Sequence, residues 1–433
     1  MAAGLHIAVV GAGVSGLAAA YHLQRAGHRV DLIERESEAG GRCGVSRLGG
    51  RPVMAGGRLI GRKYTAFREF LTALGPFALE PFATLPLRCT DDTTVVVDHR
   101  DGPAALRYLF RMGAAPPDIA KFAYLARQAR DTGGLLPSGY YTKLAALSDH
   151  KPLSQHFGAT VTETALRPMT VWTHGAEPDE MYLGAFGATL ATVLDDFDQL
   201  TDGLQPVIAA LSRRVTLRRR TAAHRLMVRR ERVHGLELAE NGGPPREYSY
   251  DAVLLATPAP IAAGLVSDGF PALGKLLGQI RYLPATVVLA EYRRPIFAPG
   301  IASLTFDDGP CRTVAPYGAD RRELVRYTFT GRAARPVPSP AALRTWLARA
   351  EERTIAQLGI EAVVRRRAAV WRWPGAYCAY LPFHGEFVGR LNHEVPVAAG
   401  LALAGDYLLG TSLEACVRSG AGAAEQLLAG AQR

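Results

Sequence analysis

The sequence predicts an α/β protein in which a Rossmann-like domain is assembled from discontinuous segments and a second, α+β domain is built from the insertions between them. Three observations predict this class. A buried strand that ends in a glycine-rich turn opens the chain, and further apolar strands recur near its middle and its end. The 433 residues also exceed what one ordinary hydrophobic core holds, so two domains are expected.

The opening stretch HIAVVGAGVSGL predicts a strand, a tight turn and a helix. Gly11, Gly13 and Gly16 have the spacing G-x-G-x-x-G. In this arrangement the first glycine permits the turn, the second lets a pyrophosphate approach the backbone, and the third lets the helix pack on the strand. The first helical turn, which includes Val14 and Ser15, presents free N–H groups to phosphate oxygens. The element therefore predicts a dinucleotide site.

The second strand, HRVDLIE, ends in an acid at the distance expected for such a site. A carboxylate at Glu34 accepts hydrogen bonds from ribose hydroxyls and repels a 2′-phosphate, so the ligand is FAD or NAD rather than NADP. Arg35, the next residue, is a further candidate cofactor contact. Gly41 and Arg42 follow closely and provide a second phosphate contact, because arginine holds an anion through two parallel hydrogen bonds.

Later stretches of the chain also predict strands and helices. The stretches TAAHRL, DAVLLATP and LALAGDY predict strands, and SLEACVRSGAGAAEQLL predicts a helix. The stretch SPAALRTWLARAEERTIAQLG predicts a helix capped by Ser339 with Pro340 in its first position.

These elements define the expected domains. The nucleotide-binding domain comprises residues 1–78, 201–265 and 396–433. The substrate domain comprises residues 79–200 and 266–395.

At these motifs the sequence resembles the flavin-containing amine oxidase, protoporphyrinogen oxidase and phytoene desaturase superfamily, whose members join G-x-G-x-x-G, an acid and G-G-R to bind FAD. The stretch LALAGDYLLGTSLEACVRSG resembles the superfamily's closing motif, and AGGRLIG resembles its flavin-side loop. Covalent attachment in the superfamily uses a cysteine shortly before the Gly-Asp pair, and residues 379–415 contain none, so the resemblance implies noncovalent FAD. It implies further FAD contacts from Gly57, Arg58, Leu59, Ala223, Gly405, Asp406, Ser412 and Leu413.

The sequence predicts the chemistry only as a class of reaction. Bound FAD takes hydride from a C–H bond. Amine oxidases of the superfamily carry a lysine on a strand near the flavin, and here the matching position lies close to Thr286. We therefore favour an oxidase, dehydrogenase or desaturase of a hydrophobic or aromatic small molecule, of the kind used in secondary metabolism. An amine or amino-acid oxidase, an isomerase that uses reduced FAD, a NAD-dependent dehydrogenase and a flavin-holding scaffold without turnover remain alternatives.

The sequence assigns no catalytic residue. The candidates are Arg58, Tyr377, Tyr380 and Tyr407, of which two belong to the aromatic stretch VWRWPGAYCAYLPFHGEF. Tyr377 and Tyr380 are three positions apart, so on a strand they point to opposite faces and only one faces the flavin. His174 is expected in a surface loop.

Composition limits the partners. The net charge is +10, but the densest basic run, RRVTLRRR, has no interleaved aromatic residues, so nucleic acid is not expected. Five scattered cysteines without C-x-x-C predict neither a metal site nor a disulfide framework, and they favour the cytoplasm. No apolar run is long enough to span a membrane. The expected partners are a small-molecule substrate and O2 or another electron acceptor, and the oligomeric state is left open.

Overall fold

The computed structural model describes residues 4–82, 85–89, 94–96, 102–130, 134–136, 139–299, 301–318, 320–396 and 399–431. The strands are β1 (His6–Val10), β2 (Arg29–Ile33), β3 (Val45–Leu48), β4 (Arg51–Met54), β5 (Ile60–Gly61), β6 (Leu79–Pro81), β7 (Leu85–Cys89), β8 (Thr94–Val96), β9 (Phe197–Leu200), β10 (Thr216–Arg218), β11 (Thr221–Arg229), β12 (Arg232–Glu240), β13 (Arg246–Ser249), β14 (Ala252–Leu255), β15 (Arg281–Tyr292), β16 (Ile301–Phe306), β17 (Cys311–Pro316), β18 (Leu324–Phe329), β19 (Arg365–Ala379) and β20 (Leu401–Leu403). The α-helices are α1 (Val14–Arg25), α2 (Thr65–Leu74), α3 (Gly102–Arg111), α4 (Pro116–Ala129), α5 (Gly139–Ser148), α6 (Ala159–Val161), α7 (Arg167–His174), α8 (Leu183–Val193), α9 (Gln205–Ser212), α10 (Ala259–Val266), α11 (Pro271–Leu277), α12 (Pro340–Leu358), α13 (His384–Glu394), α14 (Asp406–Leu409) and α15 (Leu413–Ala431).

A parallel five-stranded sheet organises one half of the molecule, with the strand order β10–β2–β1–β14–β20. Strands β1 and β14 are almost wholly apolar because both faces of the sheet are covered, one by helices α1 and α15 and the other by the antiparallel sheet β11–β12–β13. Helix α1 lies against α15, and their approach is so close that a Cβ on Gly420 would stand 2.1 Å from the Ser15 carbonyl oxygen. The strands come from three distant parts of the chain, and the predicted fold class is confirmed.

A mixed seven-stranded sheet organises the other half, in the order β19–β15–β18–β17–β16–β7–β8. Helix α12 covers one face, where Leu343 and Leu347 pack with apolar side chains of β15 and β18. Ser339 caps this helix through the Ala342 N–H, with Pro340 in the first position, so the predicted start of α12 is confirmed.

The β3–β4 hairpin reaches from the first sheet's half of the chain onto the second sheet. It packs against Trp371 and Trp373 of β19, and the Trp371 Nε1–H donates to Ser46 Oγ at 2.8 Å. Helices α3 to α8 form a further layer around Phe186 and Tyr141. Among the described residues, no helix combines the length and apolar character needed to cross a membrane.

Candidate functional site

The turn between β1 and α1 is built from three glycines with different roles. Gly11 has a φ of +99°, which favours glycine. A Cβ on Gly16 would stand 1.8 Å from the Gly11 carbonyl oxygen, so only glycine lets the helix approach the turn. A Cβ on Gly13, in contrast, would meet nothing within 4 Å. Open space therefore lies in front of Gly13, beside a helix N-terminus that no side chain caps.

Glu34 follows β2 and lies beside the same turn. One carboxylate oxygen accepts the Ala12 N–H at 3.0 Å and the other accepts the Glu36 N–H at 2.9 Å. Burial raises the pKa of Glu34, while these N–H groups oppose the shift. Each oxygen retains a lone pair that can accept a ribose hydroxyl.

The structure brings Arg42 to Asp406, although 364 positions separate them in the chain. Arg42 Nη1 donates to Asp406 Oδ2 at 2.7 Å and to the Ala376 carbonyl oxygen at 2.9 Å. The Tyr282 hydroxyl donates to Asp406 Oδ1 at 2.7 Å. Gly41 adjoins the first turn, because a Cβ on it would stand 3.2 Å from Gly13 Cα. Residues from four distant parts of the chain therefore meet beside Gly13.

Helix α15 begins near this cluster. Ser412 Oγ accepts the Ala415 N–H at 3.0 Å and caps the helix, with Leu413 in its first position. Glu414 is 2% exposed and caps a different helix, α2, by accepting the N–H groups of Ala66 and Phe67 at 3.1 and 2.9 Å. The carboxylate thus joins the starts of two helices.

Beside strands β11 and β12, the described residues form an open cavity of about 490 Å³. Arg35, Ala222 and His224 are among its lining residues. The Arg35 guanidinium is exposed and pairs with Glu36. Ala223 itself packs against the apolar core.

The loop that carries Gly57, Arg58 and Leu59 lies over the second sheet. Arg58 is 5% exposed and donates to the carbonyl oxygens of Tyr317 and Pro316. Sequence reasoning missed Arg326, which belongs to no local motif. It lies on β18 and holds this loop by donating to the carbonyl oxygens of Ala55 and Gly56.

Thr286 is buried on β15, but the strand register does not turn its side chain toward the Arg58 loop. Side chains alternate along the strand, so Thr286 shares a face with Val288, which packs in the cluster formed with α12. The opposite face contains Val287 and Leu289, and Leu289 packs with the β3–β4 hairpin, on the side where the Arg58 loop lies. Val287 and Leu289 therefore share the face turned toward that loop, and neither face of β15 carries a lysine.

The three tyrosine candidates occupy different surroundings. Tyr377 lies beside Gly175, whose Cβ would stand 2.9 Å from the tyrosine ring. The Tyr380 hydroxyl donates to the Asp406 carbonyl oxygen at 3.2 Å. Tyr407 is fully buried, and its hydroxyl has no hydrogen-bond partner among the described residues.

The expectation of a surface His174 is wrong. Its side chain is 3% exposed, and burial lowers its pKa to about 4. The ring lies 5.6 Å from that of Tyr380, between centroids. His384, on the other side of Tyr380, donates from Nε2 to the Tyr407 carbonyl oxygen at 2.8 Å, and burial likewise lowers its pKa to about 4.

Four cysteine side chains are described, and all are free thiols. Burial raises the pKa of Cys43 to about 11 and that of Cys416 to about 12, so both are protonated at neutral pH. The side chain of Cys89 lies outside the described residues. Within the described part of the chain, no group of three His, Cys, Asp or Glu side chains is arranged to hold a metal ion.

The sequence model of the family described as flavin containing amine oxidoreductase matches residues 14–428. A phytoene dehydrogenase of Streptomyces griseus is 53% identical over 51 residues, which are 12% of this chain and 10% of that protein. The matched segment thus spans about a tenth of this curated relative.

Two solved structures are similar over the whole chain. The cyclohexylamine oxidase of Brevibacterium oxydans IH-35A superposes with a TM-score of 0.78 at 16% identity and covers 100% of both chains. A proposed protoporphyrinogen oxidase from Exiguobacterium sp. 255-15 gives a TM-score of 0.72 at 18% identity, again with 100% of both chains covered. At these identities the likeness concerns the fold.

Proposed function

The chain belongs to the flavin-containing amine oxidoreductase family, and from this membership we propose that it is an FAD-dependent dehydrogenase or desaturase of a hydrophobic or aromatic small molecule. O2 or another acceptor takes the electrons. The free thiols of the described cysteines suit a reducing compartment such as the cytoplasm.

The described residues fit FAD. The open space before Gly13 and the uncapped start of α1 receive the pyrophosphate, and Arg42 adds a cationic contact. Glu34 accepts the ribose hydroxyls, and Asp406 contacts the ribityl or pyrophosphate region, as the resemblance implies. The start of α15 favours negative charge on the flavin ring. Because residues 379–415 contain no cysteine shortly before the Gly-Asp pair, where the superfamily attaches flavin, we propose that the cofactor is held without a covalent bond.

The chemistry that bound FAD supplies is hydride acceptance from a C–H bond. This chain's residues bind and orient the substrate beside the Arg58 loop and exclude water there. The observation that carries the choice of carbon dehydrogenation over amine oxidation is strand β15. By the resemblance, the position at which amine oxidases of the superfamily have lysine lies close to Thr286, and β15 carries no lysine, so this strand offers no ammonium group to order a water for reaction with O2.

A visible spectrum of the purified protein tests the cofactor, with bands expected at roughly 370 and 450 nm. Anaerobic reduction followed by air tests the chemistry, and we expect slow reoxidation without release of ammonia when amines are supplied. Fast reoxidation with peroxide and ammonia would favour an amine or amino-acid oxidase. Activity that requires reduced flavin and consumes no acceptor would favour an isomerase. A colourless protein that takes up no added FAD would contradict the proposal.

The variants Thr286→Lys and Val287→Lys give a matched test of which strand face meets the flavin. We expect only Val287→Lys to change the rate of reoxidation, because Thr286 shares its face with residues that pack on α12. A change confined to Thr286→Lys would contradict the assignment of faces.

A further inference from the structure

His174 reaches its buried position through an irregular turn in its helix. The helix runs from Ala159 to His174 and contains a π-helical turn over Thr162–Leu166, directly before α7. Pro168 has no N–H to close a regular α-turn, and the wider turn accommodates it. The additional residue rotates α7 by about 100° relative to a regular helix, because each residue turns an α-helix by that angle. The π-helical turn therefore sets the direction in which His174 points.

Hydrogen bonds fix the tautomer of the His174 ring. Nδ1 lies 2.7 Å from Thr173 Oγ1 and 3.3 Å from Thr189 Oγ1. Each hydroxyl has one proton and donates it elsewhere. Thr173 donates to the Met169 carbonyl oxygen at 2.8 Å, and Thr189 donates to Met181 Sδ at 3.6 Å. Both oxygens therefore accept from His174, so Nδ1 carries the proton of the neutral ring and Nε2 has the free lone pair.

The Nε2 lone pair has no protein partner. Among the described residues no donor contacts it, and the atom is not wholly occluded, whereas the unpartnered Tyr407 hydroxyl is. His384, on the other side of Tyr380, differs in this respect. Its Nε2 donates to the Tyr407 carbonyl oxygen, and its Nδ1 accepts the Leu381 N–H at 3.4 Å. A buried acceptor without a donor is unfavourable, so a ligand that supplies a donor to His174 gains binding energy.

His174 adjoins the proposed substrate position. Gly175, the next residue, has a φ of +63° and ends α7 against the Tyr377 ring. Tyr377 in turn lies near Arg326, which holds the loop that includes Arg58. Tyr377 and Arg326 are only partly buried, so an opening remains between β18, β19 and that loop. His174 therefore lies beside the opening in which we expect the substrate to bind.

We propose that His174 Nε2 accepts a hydrogen bond from an O–H or N–H group of the substrate, so that the substrate is a hydrophobic or aromatic molecule that carries such a donor. The inference rests on the proposed function, because the Arg58 loop marks the flavin side of the opening. The Tyr377 ring offers an apolar wall to the rest of the molecule, and the single acceptor orients it. A molecule of the same shape without a donor leaves Nε2 unpaired and is selected against.

Titration of the flavin-loaded enzyme with phenol and with toluene tests this, because the two probes have nearly the same shape and only phenol has a donor. Calorimetry gives the Kd of each probe. The ratio of the two Kd values is compared between proteins, so that the different hydration of the probes cancels. We expect His174→Phe to reduce the preference for phenol at least about fivefold, and His174→Gln, whose amide oxygen can accept, to retain it.

The matched control is His384→Phe. His384 is also a buried histidine against the Tyr380 ring, but both of its ring nitrogens are engaged, so its loss should leave the ratio unchanged. An equal ratio in the wild type and in His174→Phe would overturn the proposal and leave His174 as a packing residue. The same reduction in His384→Phe would also overturn it.

Nitrogen NMR of the wild type with isotope-labelled histidine tests the proposal even if His174→Phe fails to fold. The His174 signals are assigned by comparison with His174→Gln. We expect Nδ1 to be the protonated nitrogen, and the Nε2 resonance to shift with phenol but not with toluene. A protonated Nε2, or a resonance that phenol does not move, would overturn the proposal.

The flavin spectrum is recorded on the same samples and separates the two failures. A protein with a normal flavin spectrum but no response of His174 to phenol refutes the hydrogen-bond site alone. A protein that takes up no FAD refutes the proposed function.

Discussion

The turn between β1 and α1 predicts opposite behaviour for two glycines of one motif. In Gly16→Ala the new Cβ would stand 1.8 Å from the Gly11 carbonyl oxygen and 3.3 Å from Ala256 Cβ. In Gly13→Ala the new Cβ would meet no protein atom within 4 Å, and the φ of −74° suits any residue. The first change therefore disturbs the protein, and the second disturbs only what occupies the open space.

The expected changes in stability follow from these distances. The Gly11 carbonyl must retreat by more than 1 Å to reach an ordinary contact of about 3 Å, and overpacking of this kind costs about 1 to 3 kcal/mol. The melting temperature then falls by about 2 to 4 °C per kcal/mol in a domain of about 150 to 250 residues. For Gly13→Ala the poorer N-cap and the reduced freedom of the unfolded chain roughly cancel, so stability changes by less than about 0.5 kcal/mol.

The assay separates folding from binding. Apoprotein of each variant is melted by circular dichroism and then titrated with FAD, with flavin fluorescence as the signal. We expect Gly16→Ala to melt lower than the wild type without FAD. Gly13→Ala should melt with the wild type but bind FAD at least about tenfold more weakly, since its methyl group fills the space before α1. Wild-type FAD affinity in Gly13→Ala, or equal loss of stability in both apoproteins, would refute this reasoning.

Further predictions concern two buried groups, Glu414 and His174, and the partly exposed Arg42. Glu414→Gln removes the charged acceptor for Ala66 and Phe67 and should lower the free energy of unfolding by about 1 to 3 kcal/mol, measured by denaturant titration against the exposed Glu425→Gln. His174 has a folded pKa of about 4, below its ordinary value, so it contributes stability above about pH 6.5 that is lost as the pH falls toward 4, by about 3 kcal/mol in total. His174→Gln should lose correspondingly less stability between pH 7 and pH 4, and identical losses in the two proteins would contradict the assignment. Arg42→Gln should raise the Kd for FAD about 10- to 100-fold by fluorescence titration, whereas the exposed Arg47→Gln should leave it unchanged.

Some of the site could be predicted because its residues are neighbours in the chain. The glycines from Gly11 to Gly16 and the acid at Glu34 lie within one βαβ unit, so their spacing alone specifies the turn. The same holds for the start of α12, where Ser339 and Pro340 act within one helical turn. The fold class followed from such local units.

The remaining features depend on contacts between distant segments. The role of Glu414 could not be predicted because the helix that it caps begins at Thr65. His174 ends a helix with polar neighbours, and only tertiary packing against Tyr380 buries it. Which face of β15 meets the Arg58 loop depends on the register with β18 and β19, and a shift of one residue exchanges the two faces. In the sequence Arg326 is an ordinary strand residue, and only the folded structure shows that it contacts the loop.

The strand order of the parallel sheet also determines when, during translation, the sheet can be completed. β1 is synthesised early, but its neighbour β14 follows more than two hundred residues later, and β20 and α15 later still. Until α15 arrives, α1 has an uncovered apolar face, and α2 lacks the carboxylate that caps it. Contacts this distant in sequence form slowly and leave apolar surface exposed meanwhile. The half built on the parallel sheet therefore matures only after translation has passed residue 414, and a nonsense mutation upstream of α15 should give a chain that cannot retain flavin even though Gly11, Gly13 and Gly16 are all present.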